Sequence, residues 1–280
     1  MLTLQWDSIP NIRSSMDLTT WPGYVPGFSQ DHNLRELGGL PTMDGRHVRR
    51  GLLFRGSALT ELDDVERVRL DELGLRFVLD LRAKGEAAGN PERVPEGAEY
   101  LRLGGMRYED GSEVDFSPEG IERFQREAGL DGPFKPADDF FSRLYISMLF
   151  DNPATHALWE RFEQHVAPLF FHCTAGKDRT GMSAVVLELA LGVTREAMLE
   201  DFMITNQYRE FVIERAVASL SDGSPAAEEH VRKAYGVQIE NVQSALAAVD
   251  ERFPSPEAYV QAEYGVSPDE LAALRDFYLE

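Results

Sequence analysis

The chain has 280 residues, enough for one large domain or a domain with an appendage, and its apolar share suits a globular protein. Its 28 basic and 48 acidic residues leave a formal net charge of −20, which repels nucleic acid and anionic membranes and argues against a DNA- or RNA-binding role. The single cysteine excludes an intramolecular disulfide and fits a reducing compartment. The N-terminus carries neither a basic region nor an apolar signal core, and no apolar stretch approaches the ~20 residues that span a bilayer. The expectation is a cytoplasmic protein with no integral membrane segment. Export by a route without a signal peptide stays open, as does the oligomeric state.

Residues 1–30 are rich in Pro, Ser, Thr and Trp without periodicity and are expected to lie as an arm on the domain. Residues 33–39 read as a structural turn, and Met43-Asp44-Gly45-Arg46 is a hairpin signal. The apolar runs 52–55 and 75–81 predict buried strands. Between them, 61–73 has helical spacing and stops before Gly74. A short strand is expected at 100–103, then a polar, glycine-containing loop over 104–120 that could border a site. Helices are predicted over 121–128, 136–149 and 155–165, with Tyr145, Met148 and Leu149 as a core stripe. The strand 169–172 ends at Cys173, and helical spacing resumes over 182–191. Thr194 is placed to cap a helix running to about residue 216, and 221–225 is a break. Val242, Leu246, Val249 and Phe253 recur at helical spacing. Ser255-Pro256 and Ser267-Pro268 each place a cap before a first-turn proline, which predicts helices over 259–264, closed by Gly265, and 271–278. The alternation argues an α/β fold, a central mostly parallel sheet flanked by helices, followed by a helical C-terminal region. A ligand in such a fold sits at the carboxyl ends of the strands.

That position is occupied by His172-Cys173-Thr174-Ala175-Gly176-Lys177-Asp178-Arg179-Thr180-Gly181. A free thiol is mostly protonated near neutral pH and is then a weak nucleophile. Between a strand end and a helix start, Cys173 meets unpaired N–H groups and aligned peptide dipoles, which favour a thiolate. His172 can add positive charge or orient the loop; satisfying a backbone hydrogen bond is an equal alternative. The amides of Thr174, Ala175, Gly176, Lys177, Asp178 and Arg179 can turn inward as a nest for phosphate oxygens, with Gly176 supplying backbone freedom. The planar fork of Arg179 matches two phosphate oxygens. The Thr180 hydroxyl can donate to the thiolate as it departs. Lys177 could contact the substrate phosphate, or a second phosphate on a lipid ring. The implied chemistry is phosphomonoester hydrolysis through a phosphocysteine, with no metal or cofactor, because the amides and Arg179 stabilise the transferred group.

The sequence His-Cys-x5-Arg-Thr-Gly resembles the signature of the cysteine-dependent protein tyrosine phosphatases. The fuller His-Cys-x-x-Gly-Lys-Asp-Arg-Thr-Gly is similar to a narrower bacterial group that includes mycobacterial protein tyrosine phosphatase B. The resemblance extends loosely to Asn33-Leu34-Arg35-Glu36-Leu37-Gly38-Gly39, Leu53-Phe54-Arg55-Gly56-Ser57 and Val78-Leu79-Asp80-Leu81-Arg82, and thins over the C-terminal quarter. It implies a phosphotyrosyl-protein substrate with dual specificity, or a phosphoinositide. It also implies a single phosphatase domain over 31–280, with 210–253 as a helical lid and C-terminal helices over 254–280.

A departing alkoxide or phenoxide leaves more easily when a carboxylic acid protonates it. Trp21-Pro22 is followed by Gly23, so no Trp-Pro-Asp acid loop is present. In the narrower group the loop aspartate is proposed for the role, which maps onto Asp178. Asp80, at a strand end beside the loop, is the second option, although a plain salt bridge to Arg82 is the favoured reading of that pair. Asp138, Asp139 and Asp151 form the third. Two rivals keep the loop but change the class. A phosphate-binding module without turnover would be expected to lack the nucleophile, arginine or threonine, and a sulfurtransferase is disfavoured by Arg179-Thr180-Gly181.

Overall fold

In the computed structural model, which describes residues 17–128 and 140–280, the strands show why their sequences carry no polar alternation. Five strands, β1 (Arg35–Glu36), β2 (Leu53–Gly56), β3 (Phe77–Asp80), β4 (Glu99–Arg102) and β5 (Leu169–His172), form one sheet in the order β1-β2-β5-β3-β4. Only β1 runs antiparallel to its neighbour; β2, β5, β3 and β4 are mutually parallel. The side chains of β2, β3 and β5 are buried on both faces. Leu53, Phe77, Leu79, Leu169 and Phe171 enter the larger core, while Phe54, Val78 and Phe170 enter a smaller one on the other face. A sheet covered on both sides reads as continuous apolar runs. The central parallel sheet flanked by helices agrees with the sequence expectation.

Helices α1 (Asp64–Glu72) and α2 (Lys84–Gly89) connect β2 to β3 and β3 to β4. Helices α3 (Ile121–Glu127), α4 (Phe140–Ser147) and α5 (Pro153–Glu163) precede β5. The central helix α6 (Asp178–Leu191) is buried on every side except at Asp178, so its sequence shows no amphipathic stripe. It is followed by α7 (Arg195–Met203), α8 (Thr205–Tyr208), α9 (Glu210–Leu220), α10 (Pro225–Tyr235), α11 (Ile239–Arg252), α12 (Pro256–Tyr264) and α13 (Pro268–Tyr278). No helix among the described residues is long and apolar enough to cross a membrane.

Several local expectations hold. Thr194, Ser255 and Ser267 each accept a backbone N–H at a helix start, and Gly265 ends α12 in the left-handed conformation. Leu18 and Trp21 pack into the larger core and Val25 into the smaller. Others need correction. The single helix expected after Thr194 is three, broken at Ile204 and at Arg209, where the Arg209 backbone leaves helical geometry (φ −100°, ψ 10°). The short strand β1 lies inside the segment read as a turn. Helix α2 has no counterpart in the sequence reading, because six residues with two glycines give no period to detect. Helices α9 and α10 pack on each other through Ile213, Ala216, Val217 and Val231, a small apolar cluster separate from the two cores.

Candidate active site

Strand β5 delivers Cys173 at the carboxyl edge of the sheet, with His172 in register between Gly56 of β2 and Asp80 of β3. The loop that follows is held from outside by its carbonyls. Thr174 O accepts the Ala58 N–H at 3.3 Å, and Ala175 O accepts from Asn33 Nδ2 (3.3 Å) and Arg209 Nη1 (3.4 Å). Gly176 O accepts from Asn33 Nδ2 (2.8 Å) and Arg55 Nη2 (3.1 Å). A trans peptide places N–H opposite C=O, so outward carbonyls turn the amides of Ala175, Gly176 and Lys177 inward. Gly176 is left-handed (φ +66°), and a Cβ there would lie 2.4 Å from the Gly56 carbonyl carbon, so no larger residue fits.

The supports of the loop form a buried ionic cluster beneath it. Asp201 accepts from Arg35 Nε at 2.8 Å and from Arg55 Nη1 at 2.5 Å. Arg35 also donates to the Asn33 side chain, at 2.5 Å, and to the Asp201 carbonyl and Thr205 hydroxyl. Burial alone would raise the Asp201 pKa, but Arg35 and Arg55 outweigh it and hold the carboxyl below the usual range. Neighbouring Glu188 goes the other way: burial, and then the Asp201 charge, push its pKa well up. Two of the motifs singled out in the sequence, around Asn33-Leu34-Arg35 and Arg55-Gly56, thus converge on the underside of the loop.

Arg179 stands on the first turn of α6. Its Nη1 and Nη2 donate to the two carboxylate oxygens of Glu86 at 2.7 and 2.9 Å, and Glu86 Oε1 also accepts from the Thr174 hydroxyl at 2.6 Å. Burial would lower the Arg179 pKa, yet Cys173, Glu86 and Asp178 outweigh it and keep the guanidinium firmly charged. The Phe116 ring, from the loop expected to border the site, lies 5.3 Å from that guanidinium. The Thr180 hydroxyl is fully buried and has no hydrogen-bond partner among the described residues.

Asp178 begins α6 and is partly exposed. Its Oδ1 accepts the Tyr145 hydroxyl, and its Oδ2 lies 3.5 Å from Lys177 Nζ. Burial, and then the charge of Asp178, push the Tyr145 phenol well up, so it acts as a donor. Lys177 Nζ donates to the carbonyls of Ala234 (2.7 Å) and Gly236 (3.0 Å) at the end of α10. Asp80 is fully buried, gripped by the Arg82 fork at 2.7–3.1 Å and by the Tyr100 hydroxyl at 2.8 Å. Asp151 precedes α5, where its amide donates to Glu263 Oε1, and makes no described contact with the loop. Asp138 and Asp139 lie outside the described residues. His172 Nδ1 faces the Cys173 carbonyl at 3.1 Å.

Sequence reasoning missed Glu86, Tyr145 and Arg209 as members of this site. Glu86 sits on the undetected α2. Tyr145 belongs to a stripe that is indeed core, with only its hydroxyl at the loop. Arg209 lies at a helix break, is buried, and feels the charges of Cys173 and Asp178.

A sequence profile described as the tyrosine phosphatase family matches residues 27–280. A protein of Cupriavidus necator, provisionally named a tyrosine-protein phosphatase, is 32% identical over 204 residues, covering 69% of this chain and 67% of its own. The triple specificity protein phosphatase PtpB of Mycobacterium tuberculosis is 31% identical over 172 residues, covering 57% of this chain and 62% of its own. A tyrosine-protein phosphatase of Nostoc commune is 28% identical over 160 residues, or 56% and 49% of the two chains. The chain belongs to the tyrosine phosphatase family of hydrolases.

Proposed function

We propose that the protein hydrolyses phosphomonoesters through a phosphocysteine intermediate, with phosphotyrosyl protein as first substrate and activity on phosphoserine and phosphothreonine besides. The supporting observation is the loop in which the carbonyls of Thr174, Ala175 and Gly176 are bonded outward, leaving inward amides and the charged Arg179 around one thiol. In the first step the Cys173 sulfur attacks phosphorus and the bond to the leaving oxygen breaks. That oxygen takes a proton from Asp178, the only candidate acid with described contacts inside the loop. In the second step Asp178 accepts a proton from water, which attacks phosphorus, and sulfur departs as thiolate, eased by the unpartnered Thr180 hydroxyl. Arg179, held flat by Glu86, and the amides from Thr174 to Asp178 grip the equatorial oxygens.

The phosphoinositide reading drew on Lys177 for a second phosphate. The Lys177 amine is instead bonded to two carbonyls at the end of α10, which supports protein over lipid as the substrate class. The same bonds favour 210–253 as a lid, docked on the loop through Lys177. Replacing Cys173 by Ser is expected to abolish turnover of a phosphotyrosyl peptide, a loss of at least about 10³ in kcat, while binding persists. Retained hydrolysis in Cys173→Ser, or loss on treating the wild type with a chelator, would overturn the reading. Comparing phosphotyrosyl peptides with a phosphoinositide panel decides between the substrate classes.

A further inference from the structure

Five arginines are buried among the described residues, and four of them face a carboxylate. Arg35 and Arg55 share Asp201, Arg82 holds Asp80 and Arg179 holds Glu86, all at 2.5–2.8 Å. Arg209 is the fifth. It is only 8% exposed, its Nε is buried without a hydrogen-bond partner, and it forms no ion pair among the described residues. Its guanidinium makes one described hydrogen bond, from Nη1 to the Ala175 carbonyl at 3.4 Å. A guanidinium carries five N–H donors, and a buried charge without a counter-charge is costly. A side chain in this state is suited to an anion that comes from outside the chain.

The position of Arg209 restricts where that anion lies. The Ala175 carbonyl points away from the phosphate nest and also accepts from Asn33 Nδ2, so the guanidinium stands on the rim of the loop and not inside it. Burial pulls the Arg209 pKa down, and Cys173, Asp178, Asp31 and Tyr235 oppose this through space, with no bond to any of them. The other cations of the loop are engaged. Arg179 is held by Glu86, and the Lys177 amine by the carbonyls of Ala234 and Gly236.

We propose that Arg209 is a specificity-determining residue: it binds a carboxylate side chain that neighbours the phosphotyrosine in the substrate peptide, while the phosphate itself enters the nest. The planar fork fits a carboxylate through two parallel hydrogen bonds, which a lysine cannot offer. Such a peptide brings the missing counter-charge with it. The rest of the surface, at a net charge of −20, repels acidic residues, so the preference is confined to the position in the peptide that reaches Arg209. The assignment rests on phosphotyrosyl protein as the substrate.

The test is the affinity of Cys173→Ser for peptides with one phosphotyrosine, in which a single Glu or Gln is scanned over the neighbouring positions on either side. Glu is expected to bind about tenfold more tightly than Gln at one position, the yield of one charge-assisted pair, and no better at the others. Adding Arg209→Gln is expected to bring that ratio to about one, and adding Arg209→Lys, a point charge without the fork, to about threefold. A residue that only supports the Ala175 carbonyl would weaken both peptides alike and leave the ratio unmoved, and that result overturns the proposal. So does a Cys173→Ser protein that binds the Gln peptides and prefers Glu at no position. Should Arg209→Gln not fold, Arg209→Lys decides, because an unchanged ratio in it overturns the proposal as well. Failure of the substrate reading looks different: no phosphotyrosyl peptide binds at all, and the proposal falls with it.

Discussion

The roles assigned to Asp178 and Glu86 predict different kinetic signatures. Asp178→Asn removes the proposed proton donor, so its effect is expected to follow the leaving group. A loss of about 10²–10⁴ is expected for an alkyl or tyrosyl phosphate, and a much smaller one for an activated aryl phosphate. Equal losses on both would transfer the role elsewhere. Asp80 is a poor substitute, because the Arg82 fork occupies its carboxylate. Glu86 touches no reacting atom. It fixes the plane of Arg179 through two hydrogen bonds and ties it to Thr174. Glu86→Gln keeps one good acceptor, and the loosened fork is expected to cost about 10² in kcat/KM. A change in thermal stability without a change in kcat/KM would make Glu86 merely structural.

At the level of elements, the loop is anchored by β1, β2, α7 and α8 through Arg35, Arg55, Asp201 and Thr205. The pKa directions set the pH behaviour of this cluster. Asp201 titrates below its unfolded value, so its contribution is complete above that value and is lost as pH falls through the folded pKa. Asp201→Asn leaves two buried guanidinium groups without an anion and is expected to destabilise the fold by about 3–5 kcal/mol at neutral pH. Glu188 has the opposite sign. Its folded pKa is raised, so it costs stability as pH climbs past about 4.3, its unfolded value. Glu188→Gln is therefore expected to raise Tm at pH 7 and to leave it unchanged near pH 4. Thermal unfolding of both proteins across this range checks the slope, and a Tm gain independent of pH contradicts it.

For the whole molecule, the net charge of −20 opposes the approach of any anionic substrate. Attraction is confined to the loop, where Arg179 and Arg209 stand against Cys173 and Asp178. Salt shortens the Debye length from about 30 Å at 0.01 M to about 8 Å at 0.15 M, which screens the distant acidic surface more than the contacts in the loop. The kcat/KM for an acidic phosphopeptide is expected to rise several-fold over this range, and a fall would show that long-range attraction dominates. The α9–α10 pair has its own small apolar cluster and docks on the loop through the two bonds of Lys177. Lys177→Met is expected to speed proteolysis at the break over 221–224, where Gly223 is left-handed, without lowering the unfolding free energy by more than about 1 kcal/mol. Unchanged cleavage would mean that other contacts hold the pair.

Local sequence was sufficient wherever a signal is local. The apolar runs of β2, β3 and β5, the serine–proline helix starts and the nest-forming segment after Cys173 each follow from neighbouring residues acting on one another. The partners of that segment come from far along the chain: Asn33, Arg55, Glu86 and Tyr145. No spacing rule links these positions, because each reaches the loop by the strand pairing and crossovers of the sheet or by the packing of α4. Burial then decides what each group is. The same carboxylate chemistry gives an ionised Asp201 between two arginines and a Glu188 pushed toward the neutral form beside it. Only the folded interior removes the water that would otherwise make those two acids alike.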